Sequence, residues 1–212
     1  MGLSLANNNE VLNAKIKICG LTRLEDITTV NQLQPDYIGF VFAPSRRQVS
    51  FEHAKQLKAA LNPHIQSVGV FVNESIPMIL SAIQEGILDV IQLHGEETEE
   101  YIKQLKSLTT VPIIKAISVQ AKGDVEQWNE SEADYLLLDH KGGGTGETFD
   151  WSLIGECKKL FFLAGGLGVN NINEALASVR PWAVDVSSGV ETEGVKDAKK
   201  IEEFIHCVKV EA

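Results

Sequence analysis

Basic residues are scarce in this chain, and other features that define whole classes of protein are missing. Its 212 residues include 19 Lys and Arg against 29 Asp and Glu, which gives a formal net charge of −10. A chain this acidic, with no basic run, is a poor ligand for nucleic acid or for an anionic membrane surface. No stretch approaches the roughly 18 apolar residues of a membrane span. We therefore expect neither a nucleic acid nor a membrane as a partner.

Cysteine is also rare, and its pattern excludes a disulfide framework. The three residues Cys19, Cys157 and Cys207 are an odd number and lack the spacing of a metal site. The N-terminal segment has no basic start and no apolar core, so it differs from an export signal. We expect a cytoplasmic protein whose cysteines stay free thiols. We also expect residues 1–14 to form a flexible extension and 15–212 to form one domain.

The chain does have a rhythm of short apolar runs that alternate with longer amphipathic segments. Eight runs rich in Val, Ile, Leu or Phe are typical of parallel strands covered on their outer face. They span 15–19, 37–42, 67–72, 88–93, 111–116, 134–139, 160–164 and 182–186. About eight βα units in about 200 residues predict an α/β fold, a closed (β/α)8 TIM barrel. A doubly wound sheet is disfavoured because GLTRLED, and no G-x-G-x-x-G sequence, follows the first run.

Polar residues end several of these predicted strands, where a barrel of this type places its catalytic groups. Cys19 ends the first strand, Gln92 and His94 lie at the end of the fourth, and Asp139 and Asp185 end the sixth and eighth. If Cys19 and Asp139 both point inward, a thiol and a carboxyl flank a bound substrate as a base and an acid. A strand-end cysteine is more often buried filler, and a strand-end aspartate is more often a turn residue. Spacing alone leaves the question open.

Glycine and serine follow the last two predicted strands, at the two loops that commonly bind phosphate in such barrels. Glycines let backbone N–H groups approach an anion, and a helix N-terminus adds a favourable dipole. We expect a phosphate site there. Its candidate ligands are Gly165, Gly166, Ser187, Ser188 and Gly189. A further glycine-rich stretch, over 142–151, is expected to close over the site.

Seven motifs, in order along the chain, resemble the phosphoribosylanthranilate isomerase family. They are KICGLTRLED (17–26), GFVFAPSRRQV (39–49), VGVFVNE (68–74), QLHGEE (92–97), LLLDHKGGGTGETFDW (136–151), AGGL (164–167) and VDVSSGVE (184–191). The resemblance implies a (β/α)8 barrel of tryptophan biosynthesis. It also implies conversion of N-(5-phosphoribosyl)anthranilate to 1-(2-carboxyphenylamino)-1-deoxyribulose 5-phosphate, an Amadori rearrangement that uses no cofactor and no metal.

The same resemblance assigns the two catalytic roles. It makes Cys19 of KICG the general base and Asp139 of LLLD the general acid. The acid has to protonate the ribose ring oxygen, which requires desolvation or a nearby anion to keep its proton in place. The base then removes a proton from the adjacent sugar carbon. We expect inward Lys17 and the arginines of the second loop to lower the pKa of the Cys19 thiol.

The resemblance also assigns substrate-binding residues. Arg47 is expected to pair with the anthranilate carboxylate, because a planar guanidinium binds two carboxylate oxygens. Where the family often reads Ser-Pro-Arg, this chain reads Ser-Arg-Arg, so Arg46 is a second candidate for that role. Gln92 and His94 belong to the QLHG motif and Asp185 to the DVSSGVE motif, and we expect all three to contact a phosphorylated small-molecule substrate.

Three other functions remain to be weighed. A pentose-phosphate epimerase needs metal-binding His and Asp residues on several strands, and His94 is the only histidine at a predicted strand end. An indole-glycerol-phosphate synthase needs inward Lys and Glu residues; Lys115 ends the fifth strand, but no glutamate matches. An inactive phosphosugar-binding regulator has no need of Cys19, Asp139 and Arg47 together. The sequence does not distinguish a monomer from a weak homodimer.

Overall fold

The eight apolar runs form a closed barrel of parallel strands in a computed structural model, which describes residues 14–140 and 148–210. The strands are β1 (Lys15–Cys19), β2 (Tyr37–Val41), β3 (Gln66–Phe71), β4 (Val90–Leu93), β5 (Ile113–Ser118), β6 (Tyr135–Asp139), β7 (Phe161–Leu163) and β8 (Ala183–Val186). Each strand pairs with the next, and β8 pairs with β1 with Lys17 opposite Asp185. The predicted barrel is confirmed, and the strand ends differ from the prediction by no more than two residues.

Helices cover the outside of the barrel. They are α1 (Leu24–Leu33), α2 (Phe51–Ala60), α3 (Ile76–Gln84), α4 (Glu99–Lys106), α5 (Ile172–Val179) and α6 (Ala198–Val210). Side-chain caps fix two of their starts: Ser50 accepts the N–H of His53 at α2, and Thr98 accepts the N–H of Tyr101 at α4. A short antiparallel hairpin, β9 (Glu191–Thr192) and β10 (Val195–Lys196), separates β8 from α6.

Two of the eight connections have a 3-10 turn and no α-helix among the described residues. Within the described residues, a 3-10 turn at Glu126–Trp128 lies between β5 and β6, and another at Trp151–Leu153 lies between β6 and β7. Both segments contain glycines with positive φ, Gly123 and Gly155, which interrupt a helix. Neither has the apolar stripe at helical spacing that a covering helix buries.

Alternation along the strands divides the core into two layers. Inward residues such as Val68, Ile114 and Leu137 fill the barrel, whereas Ile18 and Leu136 pack outward under the helices. An aromatic cluster closes the end where the strands begin; it contains Tyr37, Tyr135, Phe162 and Trp182, with Tyr135 stacked on Trp182 at 4.8 Å. Among the described residues, the barrel interior is thus covered at this end and open at the end where the strands finish.

Two of the predicted segments lie largely outside the described residues. The predicted extension lies almost wholly in residues 1–13, and most of the glycine-rich stretch over 142–151 lies in residues 141–147. In the described parts of the chain, no helix is long and apolar enough to cross a membrane.

Candidate active site

A cavity of about 240 Å³ opens where the strands end, and all but one of the predicted site residues line it. Those residues are Cys19, Arg47, Gln92, His94, Asp139, Gly165, Gly166, Asp185, Ser187 and Ser188. They come from six strands or the loops that follow them. These residues span more than 160 positions of the sequence. They line one cavity because the parallel strands of a barrel all end on the same side.

Gly189 is the exception. It is not on the cavity wall, and it packs against the backbone of Leu167 and Gly168, so that a Cβ there would overlap the carbonyl oxygen of Leu167. The small residue lets the loops after β7 and β8 touch. The structure therefore gives Gly189 a packing contact, and its expected contact with phosphate stays a prediction.

The turn after β7 has two features that favour an anion: glycines with positive φ and a helix N-terminus. Gly165 and Gly166 have φ of +82° and +62°, a region that side chains rarely adopt, and a Cβ on Gly165 would lie 3.0 Å from Oδ1 of Asp139. Asn171, just before α5, donates from Nδ2 to the Gly166 carbonyl and accepts from the Gly168 N–H. The turn is thereby fixed to the N-terminus of α5, which favours negative charge.

Ser187 connects the loop after β8 to the end of β1. Its hydroxyl donates to the carbonyl oxygen of Cys19 at 3.0 Å, and its own carbonyl accepts from Nζ of Lys196 at 2.9 Å. The hydroxyl proton of Ser187 is engaged in holding the Cys19 peptide. Of the two serines expected to bind phosphate, Ser187 thus already has a structural partner for that proton.

Cys19 ends β1 on the inward face, and it is buried beside a fully buried lysine. Nζ of Lys17 donates to Oδ1 of Asp185 at 2.9 Å. Burial lowers the pKa of Lys17, but the charges of Asp185 and Cys19 outweigh burial and hold that pKa above its usual value. Lys17 is consequently a lasting positive charge next to the thiol.

The thiol itself responds mainly to burial, which raises the pKa of Cys19. Lys17 and Lys196 act in the opposite direction, and Asp185 adds to the rise. The lowering effect expected of Lys17 is confirmed, but the net shift of the Cys19 pKa is upward. Lys17 does favour the thiolate, but desolvation of the thiolate is the larger effect. Both arginines of the second loop pair with a carboxylate other than Asp185.

Asp139 ends β6 within a short hydrogen-bonded series. Its Oδ1 accepts the N–H of His140 at 2.7 Å, and its Oδ2 lies 3.4 Å from Nε2 of His94. Nδ1 of His94 is 2.8 Å from the amide nitrogen of Gln92. With the Gln92 amide in this orientation its nitrogen donates to Nδ1, which leaves Nε2 as the ring nitrogen that faces Asp139. Among the described residues, the buried amide oxygen of Gln92 has no hydrogen-bond partner.

Arg47, rather than Arg46, reaches the cavity. The Arg47 side chain is 13% exposed and lines the cavity, whereas Arg46 is 56% exposed and lies outside it. Both guanidinium groups donate to Glu191, Arg47 through Nε at 2.7 Å and Nη2 at 3.0 Å. Sequence reasoning did not single out Glu191, although it is the last residue of the VDVSSGVE motif. Its partners lie 144 and 145 residues away, which local patterns do not reveal.

Lys115 does not supply the inward lysine that an indole-glycerol-phosphate synthase needs. It alternates with inward Ile114 and Ala116, and its Nζ pairs with buried Glu97 at 2.8 Å outside the barrel. This pair lines a larger cavity, about 590 Å³, which contains none of the predicted site residues. In the parts of the chain that the structure describes, no three His, Cys, Asp or Glu side chains are grouped to hold a metal ion.

Similarity to known proteins agrees with this geometry. Residues 16–207 match the family described as N-(5'phosphoribosyl)anthranilate (PRA) isomerase. An N-(5'-phosphoribosyl)anthranilate isomerase from a Thermoanaerobacter species is 47% identical over 201 residues, which covers 92% of this chain and 98% of the relative. The crystal structure of the phosphoribosyl anthranilate isomerase from Thermotoga maritima is 40% identical, with a TM-score of 0.84 and coverage of 92% and 98%.

A further crystal structure adds a ligand. It is a phosphoribosyl anthranilate isomerase in complex with reduced 1-(o-carboxyphenylamino)-1-deoxyribulose 5-phosphate, 39% identical with a TM-score of 0.81, and the match covers 92% of this chain and 98% of that one.

The raised pKa of Cys19 predicts how the thiol reacts with pH. Only the thiolate is alkylated, so the rate of iodoacetamide labelling at Cys19 will keep rising past the pH at which a small free thiol reaches its plateau. Labelling is followed by mass spectrometry of the peptide that contains Cys19, with glutathione assayed alongside. A plateau at lower pH than that of glutathione would contradict the dominance of burial at this thiol.

Proposed function

The chain belongs to the N-(5'-phosphoribosyl)anthranilate isomerase family, and we propose that the 240 Å³ cavity is its active site, with Cys19 as general base and Asp139 as general acid. The chain is an enzyme of tryptophan biosynthesis that isomerises an aldose to a ketose on a phosphorylated substrate. One observation supports the assignment of roles above all: the thiol of Cys19, the carboxyl of Asp139 and the guanidinium of Arg47 line the same cavity.

The first step opens the sugar ring. Asp139 gives its proton to the ring oxygen, the bond between that oxygen and carbon 1 breaks, and the nitrogen lone pair forms a protonated imine. The carboxylate left on Asp139 lies 3.4 Å from Nε2 of His94, which carries a proton and accommodates the new negative charge. The Gln92 amide lies 2.8 Å from Nδ1 of His94 and orients the imidazole toward Asp139.

The second step moves the proton of carbon 2. The protonated imine acidifies that carbon, and the thiolate of Cys19 takes the proton while the electron pair forms the double bond of an enolamine. The enolamine then tautomerises to the ketone. Because burial raises the pKa of Cys19, the free enzyme holds little thiolate near neutrality. The charges of Lys17 and of the imine both favour the thiolate when substrate is bound.

Substrate binding uses the remaining groups on the cavity wall. The turn at Gly165 and Gly166 receives the phosphate, because its backbone is fixed to the start of α5. Arg47 receives the anthranilate carboxylate. The unpartnered amide oxygen of Gln92 accepts a sugar hydroxyl, and so does the carboxylate oxygen of Asp185 that Lys17 leaves free.

The sequence also supports a proposal for the location, the assembly and the partners of the enzyme. We propose that it acts in the cytoplasm, as a monomer or a weak homodimer, on a small molecule and without cofactor or metal. Its charge of −10 supports the absence of a nucleic-acid or membrane partner.

Removal of either catalytic group tests the assignment. Cys19→Ala and Asp139→Asn each preserve the size of the side chain closely, and each is expected to lower kcat by about 10²- to 10⁴-fold. The assay follows the loss of anthranilate fluorescence when N-(5'-phosphoribosyl)anthranilate made in situ is isomerised. Cys207→Ala serves as the matched control, because Cys207 lies on α6 outside the cavity. Near-normal turnover in Cys19→Ala would overturn the role of the base.

The two adjacent arginines test the carboxylate anchor. Loss of a hydrogen bond to a charged group costs about 1.5–3 kcal/mol, so Arg47→Ala is expected to raise KM by about 10- to 150-fold. Arg46→Ala removes the same charge from outside the cavity and is expected to leave KM within about threefold, as is usual for an exposed ion pair. Steady-state kinetics of both variants decide. Equal effects on KM would reject Arg47 as the anchor.

A further inference from the structure

Glu191 is a buried carboxylate that the proposed mechanism does not use. Its side chain is 4% exposed, it is not on the cavity wall, and three cationic groups donate to it. Nζ of Lys196 lies 2.7 Å from its Oε1, and Arg46 and Arg47 take both oxygens. Burial raises the pKa of Glu191, but Arg47 and Lys196 outweigh it and hold that pKa below its usual value. Glu191 is therefore a lasting negative charge.

Lys196 connects Glu191 to the barrel. Lys196 uses its three N–H groups on Glu191 and on the carbonyl and hydroxyl oxygens of Ser187, at the end of β8. The backbone carbonyl of Lys196 in turn accepts from the guanidinium of Arg23 at 2.9 Å, just before α1. Glu191 thus has a fixed position relative to β8, whether or not the loop after β2 moves.

Arg47 is held between two rigid groups. Nε and one Nη2 proton bind Glu191, which occupies two of the five guanidinium N–H donors and leaves three. Its aliphatic stem crosses Gly20, the residue after Cys19, so closely that a Cβ on Gly20 would overlap Cδ of Arg47. Gly20 and Glu191 together restrict where the three remaining donors lie at the cavity.

We propose that Glu191 is a positioning residue, which holds the guanidinium of Arg47 so that its free N–H groups meet the substrate carboxylate at a fixed place relative to Cys19. The inference rests on the proposed function, because it needs Arg47 to receive that carboxylate. Glu191 touches neither the cavity nor the reacting atoms, so it acts only through Arg47. A preorganised guanidinium loses less side-chain entropy on binding than a free one.

Binding of two ligands separates this role from a general effect on the loops. The first is reduced 1-(o-carboxyphenylamino)-1-deoxyribulose 5-phosphate, and the second is the same molecule without the carboxylate. Glu191→Gln keeps the shape, removes the charge and turns an amide group toward Arg47. It is expected to weaken binding of the first ligand roughly tenfold, about the loss of one charge-assisted hydrogen bond. Binding of the second ligand is expected to stay unchanged.

Three further variants complete the design. Glu193→Gln is the matched control, since Glu193 is exposed on the same hairpin, and it should bind both ligands as the unaltered enzyme does. Glu191→Asp keeps the charge and the pairing needed for folding but shortens the reach to Arg47, so it should again weaken only the first ligand. In an Arg47→Ala background, Glu191→Gln should cause no further loss, because the two changes act on one interaction.

Isothermal titration gives the dissociation constants, and circular dichroism reports folding. Equal weakening of both ligands in Glu191→Gln and Glu191→Asp would overturn the inference, as would unchanged binding of the first ligand in both. Failure of the unaltered enzyme to isomerise N-(5'-phosphoribosyl)anthranilate would instead overturn the proposed function. The two failures are thus distinguishable.

Discussion

The ion pair between Lys17 and Asp185 is the constraint on which the rest of the site depends. A fully buried ammonium is tolerated only with a close counter-charge, and Asp185 supplies it at 2.9 Å across the β1–β8 pairing that closes the barrel. The strand register places these residues opposite each other, so the contact that closes the barrel also fixes a cation beside the Cys19 thiol. The pairing of β1 with β8 therefore both closes the barrel and places the Lys17 ammonium beside Cys19.

Two other polar contacts extend this arrangement to the loops. Glu191 binds the loop after β2 to the hairpin after β8, and His94 brings a proton donor from the loop after β4 to Asp139. In each case a carboxylate faces a partner from a different strand end. Cys19, Asp139 and Arg47 therefore have fixed relative positions, which their proposed roles in two proton transfers on one small substrate need.

Much of this arrangement was predictable from sequence because it depends on local periodicity. Alternation along short strands indicates that Cys19, Asp139 and Asp185 share the inward face, and the position of Gly165 after a strand indicates an anion turn. The structure confirms that these residues meet. Their catalytic and binding roles remain predictions.

Long-range properties were not predictable in the same way. Glu191 was missed because its partners lie on another loop. The net rise in the pKa of Cys19 was not predicted, because desolvation depends on packing from several strands. Gly189 was expected on the wall but packs behind it, since a motif does not show which side of a loop faces the cavity. Two of the connections contain a 3-10 turn and no α-helix among the described residues. The spacing of the apolar runs predicts the strands, but it does not show which structure connects them.

The central claim is that Cys19 removes the proton from carbon 2 of the sugar, and the fate of that proton tests it most directly. The measurement is a single-turnover reaction with N-(5'-phosphoribosyl)anthranilate that carries deuterium on carbon 2. The account predicts that the unaltered enzyme reacts more slowly with this substrate than with the undeuterated one. It also predicts that Cys19→Ala binds the substrate but leaves the deuterium on carbon 2. Loss of deuterium from carbon 2 in Cys19→Ala at the rate of the unaltered enzyme would contradict the account.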